Sequence, residues 1–279
     1  MGTFVNPVPG CFGPAISGPS LGPFANGGAL FIAGFSQWNE AGGLQAGLPS
    51  VVSVWRSDDN GTTWAIQDVA NSISLASLDE AGGMFIFPDA RVFACVRHPI
   101  DPQLWFVYAD AGLDLRVSVF DMATSTWGAT SAAGPGLLFP DGLSAYQSTA
   151  NSPLAAFNTV SGDLVVLAWD YIPSPAGQTA RPLTCTLSGG IGGAWGAPVP
   201  WPGLPPLVAL VDSYYCANIC QGANGRVHGF MAFLNAGTFE AYHYLMDDGA
   251  GAGGAAVEIM PANLSVADYR ANCLVNGNI

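Results

Sequence analysis

Short apolar runs, each bounded by Gly, Pro, Asn or Asp, recur along the chain from residue 29 onward. Those at 29–35, 104–108, 164–169 and 227–233 are nearly unbroken in hydrophobicity and too short for a helix. Such runs predict β-strands. Each is followed by a second β-rich run, at 51–55, 115–120, 182–187 and 239–245. A further strand begins at Trp64, Trp127 and Trp195, and residues 257–259 take its place in the last unit. Ahead of the last three units lies one more run, at 91–96, 154–160 and 214–220. The unit therefore has four strands, with its tryptophan recurring about every 60 to 70 residues. A repeat of that size, made of short strands and Gly-rich turns, predicts an all-β, four-bladed β-propeller.

The first unit begins at residue 29 without a leading run, and the chain ends on a run with nothing after it. Tyr269-Arg270-Ala271-Asn272 matches Tyr215-Cys216-Ala217-Asn218 of the last leading run. The expected arrangement is circular: residues 269–277 join the N-terminal blade and close the ring, which hides two sheet edges. The rival arrangement is a chain whose next blade starts at Tyr269. Residues 1–28 stand apart, with Pro7, Pro9, Pro14, Pro19 and Pro23 set among glycines. Proline donates no ladder hydrogen bond, so this is expected to be an irregular strap, with 29–279 as a single propeller domain.

Charge narrows the partners. The net charge is −13, and all seven basic residues are arginines. Without clustered basic charge, nucleic acid and membrane insertion are not expected. No apolar stretch is long enough for a transmembrane helix, and the N-terminus has neither a basic n-region nor an apolar h-region. An extracellular or virion location would then be reached by another route. The six cysteines, at 11, 95, 185, 216, 220 and 273, fit no zinc spacing and read first as buried small hydrophobes, second as disulfides. No cofactor motif is present.

The turn at residues 57–64 carries Ser57, Asp59, Gly61, Thr63 and Trp64 in the pattern Ser-x-Asp-x-Gly-x-Thr-Trp. This resembles the Asp-box, the repeat of sialidase-like β-propellers. The chemistry of the residues is expected to be structural. Gly61 permits positive φ, the Asp59 carboxylate accepts backbone N–H groups, and Trp64 packs its ring between sheets while its N–H finds a partner. Calcium at Asp58, Asp59 and Asn60 is a minor alternative. The echoes are weaker: residues 121–127 keep Asp121 and Trp127, and residues 189–195 keep only Gly189 and Trp195. In the family the motif lies on the blade rim, so the resemblance implies a fold and not a reaction.

Sialidases of that family use an arginine triad, a Tyr/Glu nucleophile pair and an acid/base Asp. Here Arg56 and Arg116 fall on third strands, and Glu240 sits beside Tyr242 on another, away from an axial site. Three histidines stand at 98, 228 and 243. If 235–237 is a hairpin turn, His228 lies opposite Tyr244 and His243 points to the other face, so the two are not expected to share a metal.

Ligands of propellers often bind at the mouth of the central channel, which the first strands line. Polar residues lead those strands: Asp89 and Arg91, Asp212, Asp268 and Arg270, with Asp141 or Asn151 in the third unit. Two uses fit them, as pairs tying blade to blade or as a ring that holds a polar ligand or a cation. Trp105 and Trp169 lie within apolar runs and read as core, while Trp201 falls in a Pro-rich link. Trp38 ends a strand before a polar, Gly-rich loop and is the candidate for stacking on a sugar. The resulting expectation is a non-catalytic recognition module for a glycan or a protein surface, within an oligomer or larger assembly. A sialidase-like glycoside hydrolase and a structural assembly subunit are the alternatives.

Overall fold

A computed structural model of the chain describes residues 22–36, 51–74, 93–109, 114–136, 153–174, 177–204, 216–235, 238–247 and 257–260. No α-helix occurs among the described residues, and their strands form four antiparallel sheets, each a meander in chain order. The first sheet contains β1 (Phe24–Asn26), β2 (Ala29–Ser36), β3 (Val51–Ser57) and β4 (Ala65–Gln67), with β5 (Ile73–Ser74) also paired to β3. The second contains β6 (Phe93–Arg97), β7 (Gln103–Ala109), β8 (Leu115–Asp121) and β9 (Thr126–Thr130). The third contains β10 (Leu154–Phe157), β11 (Leu164–Ser174), β12 (Gly177–Ser188) and β13 (Ala194–Trp195), with β14 (Val199–Pro200) also on β12. The fourth contains β15 (Cys216–Gln221), β16 (Val227–Asn235), β17 (Thr238–Asp247) and β18 (Val257–Met260).

The sheets stack face to face in chain order, which explains the unbroken apolar runs. Side chains alternate between the faces of a strand. On β7, Leu104 and Phe106 pack with Phe31, Val52 and Val54 of the first sheet, while Trp105 and Val107 pack with Leu164, Val166 and Leu183 of the third. On β11, Leu164 and Val166 meet the second sheet, while Val165 and Leu167 meet Val227, Met231 and Tyr244 of the fourth. A strand covered on both sides has no position left for a polar side chain. Trp105 belongs to this core, as expected, and the side chain of Trp169 lies outside the described residues.

The leading strands converge, with β10 lying beside both β6 and β15. The first strands of the second, third and fourth units thus lie side by side. Among the described residues no core cluster joins the fourth sheet to the first. The proposed closing strand at 269–277 lies outside the described residues.

The N-terminal edge of the first sheet departs from expectation. The last residues of the Gly/Pro-rich segment are a strand: β1 pairs with β2 in the register Phe24↔Phe31 and Asn26↔Ala29. The reason is local. The prolines stop at Pro23, and Gly27 and Gly28 adopt φ of +57° and +89°, the positive values that a two-residue hairpin turn needs. The first unit is thus not without a leading strand, although β1 covers only the start of β2.

Candidate functional site

The turn between β3 and β4 is closed by its own side chains. Ser57 Oγ donates to Asp59 Oδ1 at 2.8 Å and accepts the Gly61 N–H at 2.8 Å. Asp59 Oδ1 accepts the Thr63 N–H at 2.8 Å, and Oδ2 accepts the Thr63 hydroxyl at 2.6 Å. Asn60 and Gly61 take φ of 56° and 88°. These donors, the Thr63 hydroxyl foremost, then the Thr63 and Ser57 bonds, lower the Asp59 pKa from 3.8 to about 2. Trp64 Nε1 donates to Gly61 O at 3.0 Å, and its ring packs on Trp55 and Ile32 of its own sheet. Asp59 and Gly61 take the geometry expected of them, whereas the Trp64 ring packs within its own sheet and not between sheets. The calcium alternative does not fit: the Asp59 oxygens face loop donors, and Asp58 is turned to Arg56 at 2.7 Å.

The echoes keep parts of this device. Asp121 Oδ1 accepts the Ala123 N–H at 2.7 Å, and Ser125 stands at φ 57° where glycine would be expected. The same turns tie sheet to sheet. Arg56 Nη1 donates to Ser125 Oγ at 2.9 Å, and Asp68 Oδ2 accepts the Trp127 N–H at 2.8 Å. Trp195 Nε1 reaches back to Ala132 O at 3.1 Å. The Thr159 N–H donates to Gly225 O at 2.8 Å, and Gln221 Nε2 to Phe157 O at 2.9 Å.

These ties gather the β3–β4, β8–β9, β10–β11 and β15–β16 turns at one end of the stacked sheets. By strand direction, β6, β10 and β15 begin at the opposite end. The chain runs from Asp89 and Arg91 into β6, and from Asp212 into β15. Asp89, Arg91, Asp212, Asp268, Arg270 and Trp38 themselves lie outside the described residues, as do Asp141 and Asn151. Trp201 is buried, with its Nε1 on Thr184 Oγ1 at 3.1 Å and its ring 5.1 Å from that of Tyr244.

Groups of sialidase type are dispersed among the described residues. Arg56 is held by Asp58 and Ser125, and Arg116 Nη1 donates to Ser131 O at 3.3 Å in a different sheet. Tyr242 Oη does donate to Glu240 Oε2 at 2.8 Å. That pair lies on β17, the third strand of its sheet, and Tyr242 is buried in the core with Met231 and Tyr244.

The histidine expectation is overturned. In the ladder between β16 and β17, Asn235 faces Thr238. His228 is therefore opposite Leu245, and His243 opposite Phe230. Relative to the expected register this is a slip of one residue, which moves every side chain of one strand to the other face. His228 Nδ1 and His243 Nε2 lie 2.9 Å apart, with ring planes 17° from parallel. Burial, then the Arg226 charge, lowers the His228 pKa; burial, then His228, lowers that of His243.

Fold and site together define an all-β protein of face-stacked antiparallel sheets with Asp-box-like turns. No family model and no curated protein matches the chain. Among solved structures, an ulvan lyase, a polysaccharide lyase, is similar at a TM-score of 0.51 and 11% identity, over 93% of this chain and 59% of that protein. A NanB sialidase mutant from Streptococcus pneumoniae aligns at a TM-score of 0.41 and 12% identity, over 76% of this chain and 26% of that one. The Aleuria aurantia lectin aligns at a TM-score of 0.40 and 14% identity, over 85% of this chain and 60% of that one. The chain thus spans less than two thirds of the length of each.

Proposed function

We propose that this protein is a non-catalytic recognition module for a glycan or a glycan-bearing surface, used in an extracellular or virion assembly. The observation that carries the reading is that the first strands β6, β10 and β15 lie side by side. The segments leading into β6 and β15 carry Asp89 with Arg91, and Asp212, and the C-terminal segment carries Asp268 with Arg270. In the proposed closed ring these residues meet at the channel mouth, opposite the Asp-box end, and bind the polar ligand; a cation held there is compatible. Trp38 supplies a face for sugar C–H groups. The ulvan lyase with the same kind of fold is a polysaccharide lyase, which supports a saccharide as the ligand class. Closure by residues 269–277 pairs them with the part of β2 beyond Phe31, where β1 stops.

A glycan array probed with the full chain and with Arg91→Ala and Arg270→Ala tests this. Binding that both substitutions abolish is expected, and an array without hits overturns it. The sialidase-like reading is weakened by the position of the Tyr242–Glu240 pair on β17. Release of sialic acid from a fluorogenic sialoside would restore it.

A further inference from the structure

We propose that His228 and His243 form a two-imidazole site for a divalent transition-metal ion of the nickel–copper–zinc class, on the face of the fourth sheet turned away from the third. The two ring nitrogens stand 2.9 Å apart. An ion held by two imidazoles at roughly right angles, at about 2.0–2.1 Å from each nitrogen, needs a separation of roughly 3 Å. A turn of each ring about its Cβ–Cγ bond replaces the hydrogen bond by two metal bonds. Right-angled nitrogen pairs suit tetragonal or octahedral ions such as Ni²⁺ and Cu²⁺.

The surroundings hold the pair in place. Phe230, directly opposite His243 in the register, lies with its ring 5.0 Å from the imidazole. The other edge of His228 rests on the β15–β16 turn at Gly222. A Cβ on Gly222 would fall 2.6 Å from His228 Nε2 and 2.9 Å from Asn224 Oδ1, so only glycine leaves that space. Both imidazoles are partly exposed among the described residues. Burial also favours their neutral forms, which are the metal-binding ones.

Other groups delimit the site. Cys220 faces His228 across β15, and Val257 faces His243 across β18. The Arg226 charge is the like charge that a bound ion must tolerate. No set of three His, Cys, Asp or Glu around one point occurs among the described residues. The ion thus takes two protein ligands and keeps its other positions for water or an incoming oxygen or nitrogen ligand. Cys220 is not one of the ligands.

Titration of the chelator-treated full chain with Ni²⁺, followed by calorimetry and by thermal unfolding, tests the site. The expected result is binding at about pH 7.5 that raises the melting temperature and is lost at about pH 5, as the imidazoles take up protons. Binding is expected to vanish in His228→Gln and in His243→Gln, to weaken in Gly222→Ala, and to survive in Cys220→Ser and His98→Ala. A native near-UV circular dichroism spectrum for each variant separates loss of the site from loss of the fold. Absence of binding by the unmodified protein, binding unchanged in both histidine variants, or loss in Cys220→Ser overturns the proposal.

Discussion

Thr63 engages both carboxylate oxygens of Asp59, giving its N–H to Oδ1 at 2.8 Å and its hydroxyl to Oδ2 at 2.6 Å. Both bonds are stronger to the charged carboxylate than to the protonated one, so the loop is linked to pH. The folded pKa, about 2, lies below the ordinary 3.8. A depressed pKa gives stability that is present above 3.8 and is lost as the pH falls through about 2. Asp59→Asn is therefore expected to unfold at lower denaturant than the natural protein at neutral pH. The gap should narrow between about pH 4 and pH 2; a gap independent of pH would remove the linkage.

Trp201 and Gly229 form the tightest joint between the third and fourth sheets. The indole is 4% exposed, and a Cβ on Gly229 would overlap its ring and stand 2.8 Å from Met246 Sδ. Trp201→Ala is expected to cost about 3–5 kcal/mol by leaving a cavity. Gly229→Ala is expected to cost about 1–3 kcal/mol by overpacking. Trp201→Phe keeps most of the ring and loses the bond to Thr184, a smaller loss of about 1 kcal/mol. Urea midpoints of the three variants should fall in that order of severity, with Trp201→Ala lowest.

Gly134 plays the same part between the second and third sheets. A Cβ there would lie 2.8 and 2.9 Å from two Trp195 ring atoms and 3.0 Å from Leu115 Cβ. Gly134→Ala is expected to push Trp195 off Ala132 O and to destabilise by about 1–3 kcal/mol. Trp195 emission reports the displacement: with the other tryptophans unchanged, the spectrum should shift to the red in the variant.

Cysteine reactivity should be uneven. Burial pushes the Cys185 thiol up to about 12 and the Cys95 thiol well above its ordinary range, while the partly exposed Cys220 is raised by a lesser burial. Thiolate is the nucleophile, so Cys220 is expected to react with iodoacetamide in the folded protein before Cys95 and Cys185. Peptide mass spectrometry after brief alkylation, with and without urea, measures the order. Equal labelling of the three before unfolding would contradict the packing.

Much of the fold was legible because the packing leaves its mark on the sequence. The runs that became β7 and β11 could be read as strands from their hydrophobicity, and the structure supplies the reason, since each is covered on both faces. The β3–β4 turn was equally plain, because its hydrogen bonds join residues no more than four apart, from Ser57 to Thr63. The composition of residues 1–28 hid β1, since prolines up to Pro23 mask the short run after them. What only the tertiary structure decided are relations set by register and distance. A one-residue difference in the β16–β17 register brings His228 to His243 instead of to the opposite face, because the strand period is two. Trp201, in a Pro-rich link, is placed by a sheet encoded some 30 residues later, through the gap that Gly229 leaves. Local patterns encode which strands are covered; they do not encode which side chains of distant segments come face to face.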